Sequence, residues 1–151
     1  MAANIRFATE ADIPVILEFI HALAAYENME DQVIVTPELL KEWVFQKKKA
    51  EVFLVSEDEK PVGFALFFHN FSTWLGRAGI YLEDLFVLPE YRGKGCAAQL
   101  MQALIADARA LGRRGCILTC KAHLLHYYEK FGYRSLGISA SQHGGAQWYD
   151  M

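Results

Sequence analysis

Cysteine is scarce in this chain. Cys96, Cys116 and Cys120 make an odd count in 151 residues, and no leader-like segment precedes them. Reduced thiols are therefore expected rather than a disulfide framework. No second cysteine or histidine pair stands at zinc spacing, so no metal is expected. A basic excess is also missing. The net charge of −3 leaves nothing to neutralise a phosphate backbone, which argues against nucleic acid as a partner. No apolar run is long enough to cross a bilayer, and "MAANIRFATEADIP" has no signal-peptide core; a cytoplasmic protein without a membrane partner is expected. Repeats, low-complexity tracts and linkers are absent too, so residues 1–151 read as one domain.

What is present is α/β patterning. "NIRFAT" alternates as a first strand. Thr9 is a candidate N-cap for a helix whose Ile13, Ile16, Leu17, Ile20, Leu23 and Ala24 recur at helical spacing. Thr36 and Pro37 start a second helix with a face of Leu39, Leu40, Trp43 and Val44. "AEVFLVSE" and "KPVGFALFFHNFS" form a hairpin of buried strands around "EDEK", and "AGIYLEDLFVLP" is a further strand stopped by Pro89. A helix follows from about Cys96 to Gly112, with Ala97, Leu100, Met101, Leu104, Ile105 and Ala108 on one face. "GCILTC" is a strand, "HLLHYYEKFG" a short helix, and "YRSLGIS" and "GAQWYDM" are strands. The predicted order is β-α-α-β-β-β-α-β-α-β-β.

Gly93 and Gly95 lie between the strand ending near Pro89 and the helix starting near Cys96. Backbone N–H groups at a helix start lack partners and the dipole is positive there; Arg92 and Lys94 add charge. A pyrophosphate would fit such a loop. On two glycines alone, a tight strand–helix connection is the simpler reading. Neither a P-loop ending nor a Rossmann fingerprint is present.

The run Val87-Leu88-Pro89-Glu90-Tyr91-Arg92-Gly93-Lys94-Gly95-Cys96-Ala97 resembles the R-x-x-G-x-[GA] coenzyme A signature of the GCN5-related N-acetyltransferases (GNAT), with the preceding hydrophobic-x-P-x-x-R element. "HYYEKFGY" resembles that family's second marker, a tyrosine four residues before a glycine, and the order of elements matches over essentially the whole chain. Residues from about Arg6 to Arg92, through "LAAYENMEDQVIVTPELL" and "VGFALFFHNFSTWLGRAGIYLEDLFV", resemble diamine, polyamine and thialysine acetyltransferases. The later part resembles bacterial arylalkylamine N-acetyltransferase-like proteins and lacks the N-E-P segment of polyamine enzymes. The chain thus reads as two segments of different kinship, as a natural or engineered recombinant would.

The resemblance implies a mixed central β-sheet, splayed at an acetyl-CoA site, with helices on both faces. It implies that Leu85, Phe86, Val87, Arg92, Gly93, Lys94, Gly95, Cys96 and Ala97 bind the coenzyme, with N–H groups near Leu85 and Val87 meeting the thioester oxygen. Tyr128 corresponds to the general acid; on helical spacing alone it reads as a core aromatic beside Tyr127 and Phe131. Glu83 corresponds to the base or water relay. Consecutive strand residues point to opposite faces, so one of Glu83 and Asp84 is expected to face inward, although both could be exposed at the strand edge. Tyr26, Glu27, Trp74, Glu83 and Asp84 become substrate-binding candidates, whereas charge alone makes "YENMED" a solvated loop. His143 receives no role.

The leading expectation is an enzyme that moves acetyl from acetyl-CoA, its cosubstrate, to a small primary amine such as a diamine, polyamine or thialysine. Alternatives are an arylalkylamine or protein amine acceptor, a coenzyme A-binding module without catalysis, and an interaction domain without coenzyme. Family members commonly dimerise, so a homodimer is expected.

Overall fold

The computed structural model describes residues 3–112, 116–121, 124–139 and 148–151. Strands β1 (Ala3–Phe7), β2 (Glu51–Glu57), β3 (Lys60–Ser72), β4 (Arg77–Val87), β5 (Cys116–Lys121), β6 (Gly137–Ile138) and β7 (Trp148–Asp150) form one sheet in the order β1-β2-β3-β4-β5-β7-β6. Helices α1 (Ile13–Tyr26), α2 (Pro37–Leu40), α3 (Cys96–Ala110) and α4 (Leu125–Glu129) join these strands in the order expected from the sequence, with short 3₁₀ and π turns between them. All strand pairs are antiparallel except β4 with β5.

Local chemistry explains the element starts. Thr9 closes a capping box with Asp12 over a short 3₁₀ turn, Glu10–Asp12, which leads into α1. Arg6 from β1 grips the same Asp12 carboxylate with two N–H···O bonds of 2.7 and 2.9 Å. Thr36 accepts a hydrogen bond from the Leu39 amide, and α2 continues as a wider π-type turn, Lys41–Gln46.

Two apolar layers sandwich the sheet. Phe53, Val55, Phe67, Ile80 and Leu82 pack with Leu100, Met101 and Leu104 of α3 on one face. Leu54, Phe64 and Phe86 pack with Ile16 and Phe19 of α1 and Leu40 of α2 on the other. β2 therefore buries both of its faces, which is why "VFLV" is a continuous apolar run instead of an alternating one. Each fully buried Leu or Phe contributes about 1.5–3 kcal/mol. Together they fix β3 and β4, whose far ends carry the site.

Candidate active site

The site begins with two irregularities in β4. The first is a bulge: Leu66 pairs with Asp84 and Phe67 with Leu82, so Glu83 has no opposite residue. Before the bulge, Ile80 and Leu82 face α3. After it, Leu85 and Val87 face α3 while Phe86 faces α1. The extra residue resets the alternation. Glu83 and Asp84, expected on opposite faces, consequently both line one cavity.

The second irregularity is divergence. β4 pairs with β5 only through Ile80–Leu82 and Cys116–Leu118, yet β4 runs on to Val87 and β5 to Lys121. Leu88 N–H donates to Val62 O at 2.8 Å, toward β3. Strand alternation then directs the N–H groups of Leu85 and Val87 away from β3, into the gap that β5 has left. The gap opens into a cavity of about 760 Å³. Its walls come from the end of α1 (Leu23, Tyr26, Glu27), from β4, from the loop and first turn of α3 (Tyr91 to Gly93 and Gly95 to Ala98), from Thr119 and Cys120, and from Leu124, Tyr127 and Tyr128.

At the α3 end, Gly93 and Gly95 have φ of +78° and +86°, where a side chain would be strained, and a Cβ on either would project into open space. The first bond of α3 is Gln99 N–H to Gly95 O, so the amides before it have no helical acceptor. A helix start of this kind can hold an anion on backbone amides, and a pyrophosphate fits its chemistry. Arg92 does more than add charge. Its Nε donates to Val87 O at 2.9 Å, and its guanidinium lies 5.0 Å from the Tyr26 ring and 5.4 Å from Phe86. It therefore ties the loop to α1. Lys94 turns its ammonium toward Tyr91, 5.2 Å from the ring centre, and lies outside the cavity lining; Cys96 is buried beneath the helix start and Ala97 lines the wall.

At the opposite end, Tyr128 is only 8% exposed and packs edge-on against Tyr127 and Tyr133. Burial, then Cys120 and Tyr127, push its phenol far above the ordinary value, so it holds its proton at neutral pH. Asp84 is perturbed as well. Burial, then the charges of Glu83 and Glu27, raise its carboxyl from 3.8 to about 7. Glu83, at the bulge, is exposed. The sequence distinguished Glu83 and gave Asp84 no preference, because the bulge that sets their different burial depends on pairing with β3.

Trp74 does not join the cleft. It sits at the β3–β4 turn, 97% exposed, beside exposed Phe71 and Leu75. His143 lies outside the described residues. Sequence reasoning missed Tyr81 and Thr119, which line the cavity and are hydrogen-bonded at 2.6 Å. No local motif signals them, since 38 residues separate the two.

A parallel strand pair thus parts beside a glycine-built helix start, with a buried proton-bearing phenol opposite, in an α/β fold. The Acetyltransferase (GNAT) family model matches residues 17–133. Thialysine N-epsilon-acetyltransferase of Bos taurus is 33% identical over 92% of this chain and 88% of its own length. L-ornithine N5-acetyltransferase of Arabidopsis thaliana is 24% identical over 87% of this chain and 79% of its own. An acetyltransferase of Trypanosoma brucei superposes with a TM-score of 0.77 at 24% identity, covering 93% of this chain and 98% of that one, and supports the fold. The chain belongs to the GNAT acetyltransferase family and is an N-acetyltransferase. Similarity to the bovine thialysine enzyme covers nearly the whole chain, both segments included. No helix among the described residues is long and apolar enough to cross a membrane.

Proposed function

We propose that this enzyme acetylates a small cationic amine, of the diamine, polyamine or thialysine kind, with acetyl-CoA as donor. The observation that carries this reading is the acidic wall: Glu27, Glu83 and Asp84 line the same cavity as Tyr128 and the glycine loop. The relatives' names, among them thialysine N-epsilon-acetyltransferase, L-ornithine N5-acetyltransferase and spermidine/spermine N(1)-acetyltransferase-like protein 1, agree with such an acceptor.

The coenzyme supplies an activated thioester. The loop amides from Gly93 to Ala97, with Arg92 and Lys94 nearby, hold its pyrophosphate, and Leu85, Phe86 and Val87 run beside its arm. The N–H groups of Leu85 and Val87 polarise the acyl oxygen. Glu83, directly or through water, takes the proton that the ammonium must lose before attack, and Asp84, poised near neutrality, shares that task. Tyr26 and Glu27 hold the rest of the amine. Tyr128 delivers a proton to the departing thiolate. Residues 1–151 act as one N-acetyltransferase domain that works without metal. The exposed Phe71, Trp74 and Leu75 support a homodimer, in which Trp74 would reach substrate only at a second copy's site.

The test is an amine panel with acetyl-CoA, read by free-thiol release and by the mass of the product. Diamines, polyamines and thialysine should lead. Preference for tryptamine or phenethylamine would instead identify an arylalkylamine acetyltransferase, and coenzyme binding without thiol release a non-catalytic module.

A further inference from the structure

Tyr81, Thr119 and Asp150 form a hydrogen-bonded chain across the point where β4 and β5 part. The Tyr81 hydroxyl lies 2.6 Å from Thr119 Oγ1, and Thr119 Oγ1 donates to Asp150 Oδ1 at 3.1 Å. Tyr81 and Thr119 line the cavity, and Asp150 stands directly opposite Thr119 in the β5–β7 register.

The carboxylate gives this chain a direction. An ionised carboxylate only accepts, so Thr119 spends its single proton on Asp150. The bond between the two hydroxyls must then run from Tyr81 to Thr119. Tyr81 in turn has no proton left for the cavity and offers it only a lone pair. A hydroxyl that could serve either way is thereby fixed as an acceptor, on the same strand as Glu83 and Asp84 and two residues before the bulge.

We infer that Tyr81 is a positioning and specificity residue for the nucleophile: its oxygen accepts an N–H of the attacking amine. A neutral primary amine has two N–H groups and one lone pair. Holding one N–H on Tyr81 restricts how the nitrogen turns, so that the lone pair can be aimed at the thioester carbon. A hydroxyl acceptor in place of a bare N–H would present only one proton and a less nucleophilic atom. The inference rests on the amine acetyltransferase reading and adds the group that orients the acceptor.

The test uses three single variants and one double, each checked for unchanged thermal unfolding. Tyr81→Phe should raise KM for the amine by roughly 3–10-fold, the scale of one hydrogen bond, and leave KM for acetyl-CoA unaltered. Thr119→Val keeps the shape but removes the acceptor for Tyr81, whose proton then turns toward the cavity; it should reproduce that loss although Tyr81 is intact. Thr119→Ser restores the chain and should recover most of the KM lost in Thr119→Val. Thr119→Val should add less than twofold in a Tyr81→Phe background, because both act through one oxygen. Additive losses, equal effects on both substrates, or a silent Tyr81→Phe in an active enzyme would overturn the inference while leaving the acetyltransferase reading intact. Absence of turnover with every amine in the parent protein would overturn both.

Discussion

The two ends of the cleft are built differently. The end proposed to hold the coenzyme is made largely of backbone from one continuous segment: the positive-φ glycines, the free amides of α3 and the unpaired N–H groups of β4. The end proposed to hold the amine is made of side chains from separate segments, Glu27 on the end of α1, Glu83 and Asp84 on β4, and Thr119 on β5. A site built of backbone amides keeps its chemistry when side chains are exchanged. A side-chain site can be re-cut by substitution. The difference teaches why the reaction class follows from a short motif and the acceptor does not.

The largest effect is expected where the two ends meet. Tyr128→Phe keeps the ring and removes the proton, so kcat should fall by about 10²–10⁴-fold while calorimetry shows unaltered acetyl-CoA affinity. Single-turnover kinetics would separate a chemical defect from one hidden by product release.

Gly95→Asp attacks the coenzyme end alone. It strains a residue at φ +86° and puts negative charge into the cradle, so coenzyme affinity should drop by roughly 100-fold or more with the fold retained. A folded variant that binds acetyl-CoA normally would remove the cradle from the account.

Asp84→Asn separates stability from function at the amine end. Between about pH 4 and 7 the unfolded chain releases this proton and the folded chain keeps it, because the folded value is raised to about 7. Stability is therefore lost as pH rises through that window. The variant should be more stable than the parent by on the order of 2 kcal/mol above pH 7, with the gain vanishing near pH 4. Its activity with diamines should fall, and the rise in activity expected in the parent as Asp84 ionises near pH 7 should flatten. Thermal unfolding across pH, set beside rates, reads both.

The smallest effect lies outside the cleft. Arg6 holds Asp12 down at about 2, so this pair stabilises the fold above about pH 4 and loses that effect as pH falls to about 2. Asp12→Asn should cost about 1 kcal/mol at pH 7, an amount reduced by solvent at the half-exposed Arg6, with no change in either KM. Urea unfolding at two pH values checks it.

The fold was legible because its signals are local. Thr36 and Pro37 start α2, the apolar run of β2 announces a strand buried on both faces, and Gly93 to Gly95 mark the turn into α3. The reaction class was legible for the same reason. The state of the acids was not. Whether Glu83 and Asp84 share a cavity depends on a bulge defined by pairing with Leu66 and Phe67, and the raised Asp84 depends on burial by the fold, then on Glu83 and on Glu27, which lies far away in the chain. Trp74 is the converse case. Kinship with polyamine enzymes drew it to the substrate, while in a single chain the β3–β4 turn holds it in solvent.

The central claim is that the acidic wall, independent of the coenzyme cradle, selects a cationic amine. The most direct measurement is kcat/KM for a diamine relative to a monoamine of equal length, in the parent enzyme and in Glu27→Gln, at low and physiological salt. The parent ratio should stand well above one and fall several-fold in the variant and with added salt, since charges at this solvent-accessible wall are screened over roughly 8 Å, while KM for acetyl-CoA stays constant. A ratio near one in the parent, unmoved by Glu27→Gln, would contradict it.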